Sequence, residues 1–409
     1  MQTDSAVALR LTDSEFLHGE ASVVELVDAF IADAHKRHAS DIHIDPREKE
    51  VKVRMRIDGM LIDTFEIDKK IHSEIVSRIK VLSGMRTDEH QATQDGRFRH
   101  TFQDGDSLDV RVSIAPTYHG ENVVLRLLSG RGADHTLEML GFSESDCKKI
   151  TDALKRPHGM ILSTGPTGSG KTTSLYTMIK MLNRSEVSIV TIEDPIEYAV
   201  DNIEQIQVNA RAGLTFANGL RSILRQDPNI IMVGEIRDAE TAAIAVNTAL
   251  TGHLLLSTLH TNDAATTLPR LLDMGIDAYL VSSTINIAIG QRLVRKICAG
   301  CKKEERITAA AEKTLSVVPL ATAVLEDDVF YRGEGCEGCG GTGYSGRICV
   351  SEVLVATSAI REAIMRKASA AEIRKLAIQE GMTTLLEDGF AKARKGLTTI
   401  EEILRVVHE

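Results

Sequence analysis

The sequence predicts an α/β protein in two main parts, a mixed α/β domain followed by a parallel-sheet domain with helices on both faces. Three observations carry that prediction. Before residue 130, short runs of alternating polarity dominate. From Gly159, apolar strands alternate with longer helical stretches. After Leu293 the pattern changes again, with two C-x-x-C pairs, a glycine-rich stretch and terminal helices. At ~100–200 residues per domain, 409 residues suit two or three domains.

In order along the chain, residues 1–20 form a weakly periodic lead-in. Val23, Leu26, Val27, Phe30 and Ile31 recur at helical spacing between Ser22 and His38. Asp41–Asp45 and Val51–Ile57 alternate as strands, and Asp58-Gly59 turns the chain into a partner strand from Met60 to Ile67. A helix follows over Ile71–Leu82. Strands then run over Gly96–Phe102, Ser107–Ser113 and Asn122–Leu128. The mixed α/β domain therefore covers residues 21–128. The polar, glycine-rich Ser129–Asp134 places a linker at 129–135. The parallel-sheet domain covers 136–293. Its strands are Met160–Thr164, Ser188–Glu193, Ile230–Val233 and Leu254–Thr258, with helices starting at Lys171, Phe216 and Ala239. Residues 294–350 form a tetracysteine segment, and 351–409 a helical end. Ser369-x-x-Glu372 and Thr399-x-x-Glu402 read as capping boxes.

Composition excludes several classes. The net charge is −10, which weighs against a protein that coats nucleic acid, since phosphate binding needs a basic surface. No apolar run approaches the ~18 residues of a membrane helix, and Met1–Arg10 does not read as a signal peptide. Four of the six cysteines fall in C-x-x-C pairs, a pattern of metal or redox chemistry and not of a disulfide framework. A membrane channel, a disordered chain, a collagen-like fibre and a secreted disulfide scaffold are all excluded.

The strongest chemical signal is Gly165-Pro166-Thr167-Gly168-Ser169-Gly170-Lys171-Thr172, followed by Thr173. It fits G-x-x-x-x-G-K-[ST] in full, with a strand before it and a helix after it. Glycines let the backbone curl so that N–H groups point at phosphate oxygens, and the helix start adds its positive dipole end. Lys171 would reach the β and γ phosphates of a bound nucleotide, and the Thr172 hydroxyl would ligand Mg²⁺. Ile230-Ile-Met-Val233-Gly234-Glu235 delivers a carboxylate at a strand's C-terminal end, the edge where parallel sheets place ligands. Glu235 could there orient or deprotonate the attacking water, or hold Mg²⁺ through water. Ser188–Glu193 ends the same way, so Glu193 is a second candidate.

His253 and His260 bracket the strand Leu254–Thr258. Each reads equally as a sensor of the γ phosphate or of a neighbouring subunit, or as a hydrogen-bonded structural group. Cys298, Cys301, Cys336 and Cys339 supply four thiolates from two tight turns, a set that suits structural tetrahedral Zn²⁺, with redox-active or unliganded thiols as the alternative. A 34-residue spacer separates the pairs. Nearby Arg292, Arg295, Lys296, Lys302 and Lys303 would offset the charge of the complex. Cys147 and Cys349 read as ordinary buried residues. Arg111 and Arg126 sit in strand patterns. Chemistry alone favours an exposed face carrying alternating arginines over a phosphate-reaching finger.

Taken together, the motifs resemble the secretion ATPase family that drives type II secretion and type IV pilus assembly. The residues that carry the resemblance are Ser40–Pro46, Arg56–Gly59, Gln94–Arg97, the phosphate loop, Thr191–Glu197, Leu224–Pro228, Gly234–Asp238, Thr251–His253 and Thr258–Asn262. They occur in order from about residue 22 to the C-terminus. The tetracysteine segment with Gly340–Arg347 resembles the secretion and pilus-extension branch. The resemblance implies a PAS-like N-terminal domain and a RecA-like P-loop ATPase domain with a zinc-knuckle subdomain. It implies a cytoplasmic homo-hexamer, peripheral to the inner membrane and docked on a platform protein there. Glu235 matches the family's catalytic Walker B glutamate and Glu193 its Asp-box glutamate. Arg111 and Arg126 match a pair of N-domain arginines that reach nucleotide phosphates, which reverses the preference from chemistry alone. Arg221 and Arg225 match interfacial arginines. Longer members carry a further N-terminal domain that binds a membrane-anchored partner, and here it is expected to be absent or removed. No nucleic-acid partner is expected. The rival readings are a DNA-translocating or conjugation ATPase of the same superfamily and a nucleotide-gated scaffold without turnover.

Overall fold

The computed structural model describes residues 22–102, 105–129, 135–305 and 329–408. The lead-in at 1–20 and most of the linker expected at 129–135 lie outside the described residues. The chain separates into two compact units, Met1–Gly132 and Ala133–Glu409.

In the first unit, Ser22 caps helix α1 (Val23–Lys36) through a reciprocal box with Glu25. Its apolar stripe, Leu26, Val27, Phe30, Ile31 and Ala34, is buried. Strands β1 (Asp41–Pro46), β2 (Glu50–Ile57) and β3 (Met60–Asp68) follow, then helix α2 (His72–Leu82). Strands β4 (Gln94–Thr101), β5 (Ser107–Thr117) and β6 (Gly120–Ser129) complete an antiparallel sheet in the order β3-β2-β1-β6-β5-β4. Asp58 and Gly59 both take positive φ, 49° and 87°, as a two-residue hairpin between right-twisted strands requires. Alternate residues such as Ile42, Ile44, Val110, Val112 and Leu125 share one buried core with the two helices. The opposite face carries the charges.

The second unit opens with a short turn of helix, α3 (Leu137–Leu140), and α4 (Glu144–Leu154). Then come β7 (Gly159–Thr164), α5 (Lys171–Leu182), β8 (Ile189–Glu193), β9 (Glu204–Gln207), α6 (Phe216–Ile223), β10 (Ile230–Val233), α7 (Ala239–Leu250), β11 (Leu254–Leu259), α8 (Ala264–Asp273) and α9 (Ala278–Thr284). The sheet order is β15-β12-β7-β11-β10-β8-β9, with β12 at Ile285–Ile297 and β15 at Tyr344–Val355. All neighbours pair in parallel except β12 with β15. Strands β7, β8, β10 and β11 are buried at every position, which is why they read as mainly apolar runs without alternation. One buried cluster covers each face of the sheet.

The change of pattern at Leu293 falls inside β12, which continues to Ile297 and pairs with β15 from Ile287↔Val355 to Ile297↔Tyr344. Beyond β12 lie β13 (Lys302–Glu305), β14 (Phe330–Gly333) and helices α10 (Ser358–Met365), α11 (Ala370–Gln379), α12 (Leu385–Arg394) and α13 (Ile400–His408). The capping boxes expected at 369 and 399 form only by half. Ser369 and Thr399 accept from the N–H groups of Glu372 and Glu402. The return carboxylates go elsewhere, Glu372 to Arg366 and Glu402 to Arg295 and Arg405. An arginine within reach offers a charge-assisted bond, stronger than the one a cap N–H would give. Thr384 and Glu387 do form a reciprocal box, at the start of α12.

Candidate active site

The phosphate loop leaves the end of β7 at the C-terminal edge of the parallel sheet. Gly165, Gly168 and Gly170 take φ of 144°, 79° and 90°. At Gly165 a Cβ would meet the Gln291 carbonyl at 2.5 Å and Ser169 Oγ at 2.7 Å, so only glycine fits. Pro166, Thr167 and Gly168 form the exposed crest, and Ser169 is buried beneath it. Helix α5 starts at Lys171 behind Gly170, with no side chain capping its N–H groups. Lys171 is buried, and its Nζ donates to Gly165 O at 2.7 Å and Pro166 O at 2.9 Å. Burial pulls its ammonium down to about 8. Glu235 opposes that fall and Arg292 adds to it. Ser169 Oγ is a buried hydroxyl with no hydrogen-bond partner among the described residues. A curled loop, uncapped N–H groups, a buried cation and that hydroxyl together fit a polyphosphate. Thr172 is exposed on the first turn, where a hydroxyl could join a Mg²⁺ shell, and Thr173 is half-buried beside it.

Residues far along the chain hold the loop. Ser163 Oγ donates to Gln291 Oε1 at 2.6 Å, and Gln291 Nε2 donates to Ser174 Oγ at 2.8 Å. Thr164 Oγ1 bonds the Leu259 and Thr261 carbonyls and accepts from Thr261 N. Sequence reasoning missed Gln291, Ser174 and Ser163. Their signal was a polar side chain inside an apolar strand or helix face.

The two strand-end glutamates have different surroundings. Gly234 approaches β8 closely, its N–H on Ile192 O at 2.8 Å, and brings Glu235 to the sheet edge. Glu235 Oε2 accepts from Arg237 Nε at 2.5 Å and lies 3.2 Å from His260 Nε2. Glu193 is fully enclosed. Thr191 Oγ1 at 2.5 Å and Gln205 Nε2 at 3.2 Å donate to Oε1, and the Tyr176 hydroxyl donates to Oε2. Burial pushes its carboxyl above the ordinary range, against the pull of those three donors. The structure thus turns Glu193 into an inner network linking β8 to α5 and β9. Tyr176, Gln205 and Arg237 are further residues that sequence reasoning missed.

His260 stands beside Glu235, and His253 does not join it. In the parallel register Leu254 pairs with Gly159 and Leu259 with Thr164. His253 is therefore level with the start of β7, at the far edge from the phosphate loop. Its Nδ1 lies 3.2 Å from Thr248 O and its carbonyl accepts from Gly159 N. Strand direction decides this: two residues that bracket one strand cannot share one sheet edge.

Arg111 and Arg126 belong to the first unit. They pair directly across β5 and β6, and the row continues through Arg97 on one side and Asp41 and Arg56 on the other. Asp41 is buried and lies 3.2 Å from Arg126 Nε and 3.5 Å from Arg56 Nε. Four guanidiniums share the row with one carboxylate. Arg221 and Arg225 are exposed on and just after α6. Arg221 pairs with Glu240 at 2.7 Å, and Arg225 bonds the Arg221 carbonyl.

The sulfurs of Cys298, Cys301, Cys336 and Cys339 all lie within 4.8 Å of one another, with separations of 3.8, 3.9 and 3.7 Å among them. Tetrahedral Zn–S bonds of ~2.3 Å set sulfurs about 3.8 Å apart, whereas a disulfide needs about 2.05 Å. The cluster fits zinc. Gly335 and Cys336 donate N–H bonds to Cys301 and Cys339, and Gly343 donates to Cys339. Four of the five basic residues expected to offset the cluster are engaged elsewhere. Arg295 pairs with Glu402, Lys303 with Glu334, and Lys302 lies over the Tyr331 ring. Arg292 bonds main-chain carbonyls, among them Gln291 O beside the phosphate loop. Main-chain N–H groups serve the sulfurs, Cys336 and Gly343 within the second turn and Gly335 across to Cys301 of the first. Cys147 and Cys349 are buried, and burial pushes their thiols up to about 12 and about 11.

A phosphate loop with a buried lysine, a threonine at the helix start and a glutamate on a nearby strand end defines a P-loop nucleoside-triphosphate hydrolase. The family model described as "Type II/IV secretion system protein" matches residues 17–405, and the chain belongs to that family. It is 47% identical over 407 residues to type II secretion system protein E of Xanthomonas campestris pv. campestris, covering 100% of this chain and 70% of that one. It is 44% identical over 386 residues to the type IV pilus assembly ATPase PilB of Myxococcus xanthus, covering 94% and 68%. Among solved structures it resembles the pilus retraction motor PilT with bound ADP, at TM-score 0.63 and 25% identity over 95% and 97% of the two chains. The Legionella pneumophila ATPase DotB shares the fold, at TM-score 0.69 and 22% identity over 94% and 95%. The chain is an ATP-hydrolysing enzyme of this family. Among the described residues no helix is long and apolar enough to cross a membrane.

Proposed function

We propose that this chain is the motor subunit that hydrolyses Mg-ATP to drive assembly of a type II secretion pseudopilus or a type IV pilus. The observation that carries the reading is that buried Lys171, in the phosphate loop after β7, and Glu235, after β10 and held by Arg237 and His260, lie on the same C-terminal edge of the parallel sheet. The loop N–H groups and Lys171 bind the phosphates, giving up the carbonyl contacts Lys171 makes within the loop. Thr172 would hold Mg²⁺, which would neutralise charge on the β and γ phosphates. Glu235 orients a water and accepts its proton as its oxygen attacks the γ phosphorus in line and the bond to the bridging oxygen of ADP breaks. His260 and Arg237 fix the Glu235 carboxylate. Glu193 positions α5 against β8 through Tyr176. Arg111 and Arg126, from their cationic row, complete the charge around the phosphates when the two units close. Hydrolysis then moves the units as rigid bodies.

The Cys₄ knuckle holds structural Zn²⁺. The working form is a homo-hexamer on the cytoplasmic side of the inner membrane. A platform protein there receives the motion, and a membrane-anchored protein recruits the ring. His253, at the far edge, serves the frame or a neighbouring subunit and not the nucleotide of its own chain. Specific Mg-ATPase activity measured against protein concentration tests the reading. The expected curve rises as subunits associate and vanishes for Glu235→Gln. A flat rate near zero for wild type across all concentrations, with ATP bound, would support a nucleotide-gated scaffold instead.

A further inference from the structure

The last helix reaches the nucleotide edge through one buried guanidinium. Arg292 lies on β12 and is 6% exposed. Its Nη1 donates to Gln291 O at 3.0 Å, its Nη2 to Asn262 O at 2.8 Å and its Nε to Val406 O at 3.3 Å. The first carbonyl belongs to the preceding residue on β12, and the other two to separate elements. The Gln291 carbonyl is the surface against which Gly165 curls, and the Gln291 side chain joins β7 to α5. Asn262 follows His260 and Thr261 in the segment bonded to the end of β7. Val406 lies in the last turn of α13, where main-chain carbonyls lack partners within the helix and partial negative charge collects. A planar guanidinium can hold three such acceptors in fixed geometry, and an ammonium cannot. Helix α13 is itself docked by buried Ile400, Ile403 and Val406 and by the Glu402–Arg295 pair.

We propose that α13 belongs to the frame of the nucleotide site and sets its affinity for ATP through Arg292, a positioning residue. The inference rests on reading the phosphate loop as an ATP site. With α13 docked, Arg292 holds the Gln291 carbonyl and the Asn262 segment together and keeps the loop in its phosphate-binding curl. With α13 released, the guanidinium loses its third anchor and the loop relaxes. Linkage makes the coupling reciprocal: bound ATP tightens α13, and a protein that pulls α13 away weakens ATP binding.

The test is a double-mutant cycle on the full chain, reading equilibrium affinity for a fluorescent ATP analogue together with KM and kcat. The variants are Arg292→Met, a chain ending at Arg405, and the two combined, with Arg292→Lys as the conservative control. The expected result is a ~10-fold loss of affinity in each single variant, with kcat at saturation within about threefold of wild type. The combined variant should be no weaker than the weaker single one, and Arg292→Lys should fall between. Unchanged affinity in the truncated chain, or losses that multiply in the combination, would overturn the proposal. If Arg292→Met does not fold, the truncation and Arg292→Lys decide the matter, since both keep a cation at 292. A wild type that does not bind the analogue would refute the ATP site itself, an outcome distinct from equal binding by wild type and truncation.

Discussion

The phosphate loop and the cysteine knuckle are both short, glycine-bearing motifs, and they are held in opposite ways. In the knuckle, the N–H groups that bond the sulfurs come from Gly335, Cys336 and Gly343, within the second turn itself. In the phosphate loop, the anchors are Gln291, 128 residues from Ser163, and Thr261, 97 residues from Thr164. A structural metal site needs four ligands on a tight backbone, which two short turns tied to each other provide, Gly335 N–H reaching Cys301 of the first turn. A catalytic loop has to be stiff in one state and responsive in another, and support from distant elements allows both.

Perturbing the two regions should expose that difference. The largest effect expected is at Lys171. Lys171→Ala removes the buried cation and should lower kcat/KM for ATP by at least ~100-fold, read by steady-state hydrolysis. Cys336→Ser should remove bound zinc, measured by metal analysis, and open residues 298–305 and 329–343 to protease. If the knuckle is self-contained, ATP affinity should move by less than about threefold. A larger change would mean that the two regions are coupled. Gln291→Leu leaves the Ser163 and Ser174 hydroxyls without that partner. It should cost ~1–3 kcal/mol in urea unfolding and raise KM for ATP, with zinc content unchanged.

The smallest effect is a pH dependence in the tail. Burial opposes ionisation of Glu402, yet Arg405 and Arg295 hold its carboxyl down at about 2. A folded pKa below the unfolded value means stability that is present above about pH 4.5 and lost as pH falls toward 2. The loss should amount to at most about 3 kcal/mol, read by urea unfolding from pH 6 downward, and Glu402→Gln should flatten the profile.

The legible parts of the molecule were those set by neighbours in sequence. The phosphate loop, the apolar stretches of β7, β10 and β11, the Asp58-Gly59 turn and the C-x-x-C spacing each show themselves in residue types a few positions apart, even where distant elements hold them in place. The length of β12 was not legible, because its polar end at Gln291-Arg292 resembles the start of a new segment until β15 is placed beside it. The separation of Glu193 from Glu235 was not legible either, since both follow an apolar strand and only the packing of Tyr176 and Gln205 distinguishes them. His253 and His260 gave identical local signals, and the parallel register put them at opposite edges. The cations near the cysteines were close in sequence but were taken by Glu402, Glu334 and main-chain carbonyls.

The account's central claim is that Glu235, and not the enclosed Glu193, handles the proton of the attacking water. The direct measurement is γ-phosphate release at saturating Mg-ATP for Glu235→Gln and Glu193→Gln, with ATP binding measured separately. The account predicts that both variants bind ATP, that Glu235→Gln loses at least ~100-fold in kcat, and that Glu193→Gln loses less than about tenfold. Equal losses in the two variants, or a Glu235→Gln enzyme that keeps turning over, would contradict it.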